Sequence, residues 1–186
     1  MANKAPKPSV PPRPPKSPVI PLREDQTMRP IGPPEEILIG RVVWQWTRLE
    51  NCMNELIMRF TGISFEDGRL FTERMDPSRA ISLLRILGPR KLEAERLQIL
   101  VDLLTTADQL RDDRNFIVHG VWAILDPEGV PTASSLRSKS EADQVVAESF
   151  PHSRMWEIIK AIDKTREDMG RLLRSVPWSA TNESDH

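Results

Sequence analysis

The run Arg111-Asp-Asp-Arg114-Asn115-Phe-Ile-Val-His119-Gly120 places two guanidiniums, an amide and an imidazole at the end of the longest helical pattern in the chain. Asn115 and His119 are four residues apart, so a helix carries them on one face. Arg114 falls on the flank of that face. Arg111, four residues before Asn115, joins the same row. Such a set can present a cation, an amide and an imidazole to one phosphate. The forked donors of arginine match phosphate oxygens. Histidine, with an unperturbed pKa of about 6.5, gives or takes a proton near neutrality. This chemistry cleaves RNA by attack of the adjacent 2′-hydroxyl and needs no metal; a DNA backbone lacks that hydroxyl. A plainer reading stands beside it. His119-Gly120 can simply close a helix, and Asp108, Asp112 and Asp113 can pair with the two arginines as a solvated network.

Four long helical patterns must position these residues. The first is predicted from Pro34 to Phe60, with Glu35 and Glu36 at its positive end and Ile39, Val42, Val43, Trp46, Leu49, Met53, Leu56, Ile57 and Phe60 at helical spacing. Trp44 falls off that stripe, which suits a packed segment or a subunit contact. Residues 63–75 read as a loop with a turn at Gly68. A second, shorter helix starts at Asp76-Pro77 and ends at Gly88-Pro89. The third runs from about Pro89–Lys91 to Val118, with Leu92, Leu97, Leu100, Leu104, Ala107, Leu110, Arg114 and Val118 on one stripe. Arg114 occupies a place where an aliphatic residue is expected. A guanidinium there needs a partner or an anion. Past Gly120 the period changes to that of strands: Val121–Leu125, a turn at Asp126-Pro-Glu-Gly129, and a return over Val130–Leu136. Residues 137–152 fit either a short helix capped by Ser140 or an extended run. The fourth long helix starts with Ser153 as its cap and stops at Pro177. The expected fold class is all-α: an antiparallel four-helix bundle with a small β-hairpin between the third and fourth long helices.

Eleven of the seventeen prolines lie in residues 1–34, which excludes regular helix or sheet there. That stretch is expected to be a disordered tail with polyproline II character. Pro11-Pro-Arg-Pro14 and Pro15-Lys-Ser-Pro18 have the form of docking ligands, though a spacer has the same composition. The tail holds six Lys/Arg against Glu24 and Asp25, a charge of +4; the whole chain is −1, so residues 35–186 carry −5. A domain of that sign is not a general nucleic-acid binder, and any RNA contact must be local. The helical domain is expected over 35–177, with a disordered C-terminus over 178–186. Cys52 is the only cysteine, which excludes an internal disulfide. No apolar run reaches membrane-span length and no secretory signal is seen, so a cytoplasmic protein is expected.

Other chemistries fit less well. Asp108 and Asp112, at i and i+4, can share a divalent cation, but no His/Cys/carboxylate set has ligand spacing elsewhere, and His152 and His186 fall in expected loops. No metal site and no cofactor are expected. There is no Gly-rich phosphate loop and no nucleophile-elbow pattern around a serine. Cys52 lies within the first helix and reads as packed rather than reactive.

Arg114, the polar Asn115 directly after it, and His119 five positions beyond Arg114, near the end of a long helix in an all-α bundle, resemble the Arg-x4–6-His motif of the HEPN superfamily. The resemblance covers the motif; the remaining helices agree only as architecture. It implies a homodimer whose two motifs meet in a cleft, and metal-independent endoribonuclease activity, often in toxin–antitoxin or phage-defence systems. Arg114 and His119 would then be catalytic, with Asn115 orienting them and Arg111 supporting. His119 moves the proton and Arg114 holds the scissile phosphate. RNA is the expected substrate, and an antitoxin or another protein the expected partner. Some members of the superfamily are non-catalytic, so the alternative is a dimeric interaction module with a proline-rich docking tail. The hairpin and the tail are additions that the motif does not explain.

Overall fold

The computed structural model describes residues 28–125, 129–137 and 144–178. Five helices and four strands follow in the order β1 (Met28–Arg29), α1 (Pro33–Thr61), α2 (Phe65–Thr72), α3 (Pro77–Lys91), α4 (Ala94–His119), β2 (Val121–Leu125), β3 (Val130–Arg137), β4 (Gln144–Ser149) and α5 (His152–Ser175). The chain is mostly helical with a small antiparallel sheet. Residues 1–27, with both Pro-x-x-Pro segments, and residues 179–186 lie outside the described residues. Met28 and Arg29, at the end of the stretch expected to be tail, pair with Leu125 and Ile124.

The first helix forms as expected, one residue longer at each end. Pro33 and Pro34 begin it, and Leu38, Val42, Trp46, Leu49, Met53, Leu56, Ile57 and Phe60 make its buried face, while Val43, expected on that face, is exposed and Ile39 only partly buried. It stops at Gly62, which takes a left-handed φ of 70° and donates its N–H to the Met58 carbonyl at 2.9 Å. This helix packs along α5 and against α3 and α4, so one core unites the four long helices. Trp44 is exposed. Among the described residues, no helix is long and apolar enough to cross a membrane.

Glu35 is used more fully than a helix-dipole argument foresees. One carboxylate oxygen accepts the Gly32 N–H at 3.0 Å, and the other lies 2.7 Å from His152 Nε2. His152, expected in a loop, is the first residue of α5. The pair therefore joins the N-termini of α1 and α5. Burial pushes the Glu35 carboxyl up, but the His152 contact and the backbone donors outweigh it, so its pKa ends below the usual value. At the other end of α5, Arg59 Nη1 donates to the carbonyls of Leu173 at 3.0 Å and Val176 at 2.7 Å, capping the helix from α1. The ring of Trp178, placed by the sequence reading in the frayed terminus, lies 5.6 Å from the Arg59 guanidinium.

Glycine and proline misplaced three boundaries. Residues 63–75 are not simply a loop: α2 forms there, capped by Ser64, whose hydroxyl accepts the Asp67 N–H at 3.1 Å. Gly68 is no turn residue. A Cβ on it would lie 2.6 Å from Met58 Cγ, so the glycine lets α2 lie down on α1. Gly88-Pro89 does not end α3, which continues to Lys91. Gly88 has no Cβ to oppose the following proline ring, and a Cβ there would meet Leu100 Cδ2 at 2.8 Å. Helix α4 accordingly begins at Ala94, not at Pro89–Lys91. Its buried stripe runs through Leu103, Ala107 and Leu110 to Phe116 and Ile117, and not to Val118.

The expected hairpin is part of a larger sheet of order β1-β2-β3-β4, antiparallel throughout. Val121 pairs with Ser134, and Leu125 with Val130. The ambiguous stretch resolves in part as β4, which pairs Ser149 with Thr132 and Gln144 with Arg137. Ser140 and Asp126–Glu128 lie outside the described residues. Helix α5 starts at His152 behind Pro151, so Ser153 is inside it and not its cap.

The sheet grips the last turn of α4. Trp122 Nε1 donates to the Ile117 carbonyl at 2.8 Å. Phe150 is fully buried between Phe116 and Trp122, with ring centroids 5.8 Å and 5.5 Å away. Gly120 joins helix to strand in an extended conformation, φ −73° and ψ 149°. It is not a left-handed stop. Glycine is required because a Cβ would lie 2.6 Å from the Phe116 carbonyl oxygen and 2.9 Å from Ala133 Cβ.

Two outcomes follow for stability. Gly120→Ala must push helix and sheet apart, and we expect a loss of about 1–3 kcal/mol in urea unfolding; an unchanged midpoint would mean that the joint yields freely. Glu35→Ala should cost about 1–3 kcal/mol at pH 7. Because the folded pKa of Glu35 is lowered, its stabilisation is present above the ordinary carboxylate range and fades as pH falls through the folded value. The gap between wild type and Glu35→Ala should therefore narrow below roughly pH 4 in paired denaturation curves.

Candidate functional site

Arg114, Asn115 and His119 come together on the last turns of α4 and line one cleft of about 470 Å³. Its other walls are Glu50 from α1, Asp76 and Pro77 where α3 begins, and Arg111, Asp112 and Phe116 from α4. Packing explains the placement. Leu110 and Ile117 face the core, and Arg114 lies between them on the same side of α4, where it is half-buried. Asn115 and His119 lie on the other side of the turn that buries Phe116 and Ile117, and they are exposed.

The Arg114 guanidinium organises the motif. Its Nη1 donates to Asn115 Oδ1 at 3.0 Å and lies 3.4 Å from His119 Nε2. The second contact is a hydrogen bond only when the imidazole carries its proton on Nδ1. Among the described residues, Arg114 forms no ion pair with a carboxylate, and its buried Nε has no hydrogen-bond partner. A buried N–H left unmatched costs on the order of 1–3 kcal/mol. A cation half-withdrawn from water and not neutralised at contact distance is ready for an anion that enters the cleft.

Arg111 behaves differently. It lines the cleft, but its donors are taken by the Ser78 hydroxyl at 2.6 Å, Asp108 at 2.9 Å and Asp112 at 3.2 Å. It ties α4 to the start of α3 instead of joining the row of Asn115 and His119. Asp108 also faces Arg85 at 3.6 Å. The two carboxylates considered as a cation pair are thus committed to arginines. Asp113 pairs with Arg154 at 3.5 Å. The ion-pair network foreseen for these acids therefore forms around Arg111 and Arg154 and leaves Arg114 out of it.

Glu50 was not expected. One of its oxygens accepts the Trp46 indole N–H at 2.5 Å, and the carboxylate faces Arg114. Burial raises its pKa most, and Asp76 adds to that rise. The Trp46 hydrogen bond and the Arg114 charge oppose it without cancelling it. The only local signal was a tryptophan and a glutamate at i and i+4 on the edge of the α1 stripe. Asp76 is spent on capping α3, with Oδ1 accepting the Ser78 N–H at 2.7 Å, and its pKa is lowered mainly by that bond. Cys52 is half-buried and does not line the cleft, and burial pushes its thiol up, so it is a poor nucleophile.

Compared with protein-family models, with curated proteins and with solved structures, the chain matches none.

The raised carboxyl of Glu50 gives a signed expectation. Ionising it costs more in the folded chain than in the unfolded one, so its favourable contribution is present below the ordinary glutamate range and is lost as pH rises through the folded value. Glu50→Gln keeps an acceptor for Trp46 and removes the charge. We expect it to be more stable than wild type at pH 7 and to match it near pH 4. A Gln variant that is less stable at pH 7 by urea denaturation would contradict this.

Proposed function

We propose that the protein is a metal-independent endoribonuclease of HEPN type. On this reading α1, α3, α4 and α5 are the four helices of a HEPN bundle, and α2 and the sheet are additions to it. Two copies associate so that their clefts meet. The observation that carries the reading is the convergence of Arg114, Asn115 and His119 on one open cleft, with Arg114 outside the neighbouring ion pairs.

The chemistry follows from what each group can do. The scissile phosphodiester accepts from the Arg114 guanidinium. The 2′-hydroxyl oxygen attacks phosphorus as the bond to the 5′-oxygen breaks. Negative charge builds on the non-bridging oxygens, where a fixed guanidinium stabilises it more than it stabilises the ground state. His119 moves a proton at the reacting oxygens. Asn115 holds the Arg114 fork through Nη1 and so positions it. Arg111 supports the site through the α3–α4 joint rather than through the phosphate. A role as a toxin or phage-defence component, restrained by an antitoxin or recruited through the proline-rich tail, is the cellular setting that this activity fits.

The test is cleavage of several RNAs in EDTA by the purified full chain, freed of any co-purifying inhibitor. Wild type should leave 2′,3′-cyclic phosphate ends. His119→Ala and Arg114→Ala, each folded by circular dichroism, should lose about 100-fold or more in rate. RNAs left intact by wild type would instead favour a non-catalytic, dimeric interaction module. Sedimentation of the same samples reports whether two copies associate.

A further inference from the structure

Transesterification of RNA needs two proton movements. The 2′-hydroxyl must lose a proton, and the 5′-oxygen must gain one. One imidazole on the cleft wall meets one of these demands in a single concerted step. The other needs a second titratable group within reach of the same phosphate, and a carboxylate of the same cleft and the His119 of a second copy are the two candidates.

Three carboxylates line the cleft: Glu50, Asp76 and Asp112. Asp76 caps α3 through the Ser78 N–H, and Asp112 pairs with Arg111. Glu50 alone among them serves neither a helix cap nor an ion pair among the described residues. It is half-buried and held from behind: Trp46 Nε1 fixes Oε1, while Oε2 has no hydrogen-bond partner among the described residues. Trp46 is fully buried and cannot swing away, so the carboxylate is oriented by the core of the protein. Arg114 faces it from α4 and Asp76 from the start of α3. Arg111, Asp112 and His119 complete the charged lining.

Resting on the endoribonuclease reading above, we propose that Glu50 is a catalytic base of the same site and that His119 is its acid. The Glu50 carboxylate takes the proton from the 2′-hydroxyl as the O2′–P bond forms. The P–O5′ bond breaks, its electron pair stays on the 5′-oxygen, and that oxygen takes the proton from the His119 imidazolium. The products are a 2′,3′-cyclic phosphate and a free 5′-hydroxyl. Glu50 is left protonated and His119 neutral, and exchange with water restores both. Burial around Glu50 favours the role, because a carboxylate of raised basicity accepts the proton more readily. It also explains why an acid is retained on the wall of an anion site: the charge that repels phosphate is the one that receives the proton.

The experiment is single-turnover cleavage by the full chain across pH, with wild type, Glu50→Gln, Glu50→Asp and His119→Ala. Wild type should show a bell-shaped profile. Glu50→Gln should be slower by about 100-fold and lose the acidic limb while keeping the alkaline one. His119→Ala should do the reverse. A second substrate, uridine 3′-(p-nitrophenyl phosphate), has a leaving group that needs no proton. It should restore His119→Ala toward wild type and leave Glu50→Gln slow. Glu50→Asp keeps the carboxylate but withdraws it, so it should be slowed and retain the acidic limb. This variant decides the matter if Glu50→Gln does not fold. Wild-type rates with both limbs intact in Glu50→Gln, or in Glu50→Asp where that is the only folded variant, would overturn the assignment and leave the nuclease standing. Absence of cleavage by wild type on either substrate would remove the nuclease reading and Glu50 with it.

Discussion

Phe150 is wedged between Phe116 and Trp122, and Arg154 lies over its ring at 4.2 Å. The same guanidinium reaches the Ser149 carbonyl at 2.9 Å, Glu148 at 3.0 Å and Asp113 at 3.5 Å. Two stretches distant in sequence, the α4–β2 joint and the β4–α5 joint, are held together at that one cluster. The position of His119 depends on it. A helix end beside a short sheet would ordinarily fray. Here the terminal turn is packed on one side and left open on the other, so a polar face is presented on a fixed backbone. The cation–aromatic and charge-assisted contacts are stronger at a half-buried site than on an open surface.

The cleft itself is a problem in charge allocation. It contains two arginines and three carboxylates, which is not by count an anion site. The distribution changes that conclusion. Arg111 and Arg85 offset Asp108 and Asp112, and Asp76 is spent on the first turn of α3. What remains is Arg114, Asn115, His119 and Glu50: one cation, one amide, one imidazole and one carboxylate. A negative domain charge and a local phosphate site are compatible for this reason. The field at contact distance is set by Arg114, which has no ion pair within contact distance among the described residues, and by the facing Glu50, while more distant charges are screened by solvent.

The same accounting separates Arg111 from Arg114 by their partners in space. Both lie on α4 near its end, one turn apart. Arg111 meets the Ser78 hydroxyl because α3 begins beside it. Arg114 has the core below it and the cleft beside it. Arg111 is a joint between helices, while Arg114, among the described residues, bonds only within its own helix end, to Asn115. The buried, unmatched Nε is the local cost of that arrangement.

Periodicity alone was enough to place the four long helices, the interior face of α1, the change to strands after Gly120, and Arg114, Asn115 and His119 as a group. These features depend on residues within one or two turns of each other, where geometry is dictated by the backbone repeat. Gly68 and Gly88 misled the same logic, and Gly120 ends the helix as expected but for a reason of packing as well. Each is glycine because of a neighbour distant in sequence or across a joint: Met58, Leu100 and Ala133. Composition cannot tell a glycine that turns the chain from one that admits a neighbour. The residues that depend on assembly were equally invisible: Glu35 bonded to His152 across α1 and α5, Arg111 diverted to Ser78, and Glu50 brought from α1 to the wall opposite Arg114. Side chains from different helices become neighbours only when the core closes, and it is that closure, not any local pattern, that decides which charges are paired and which remain available.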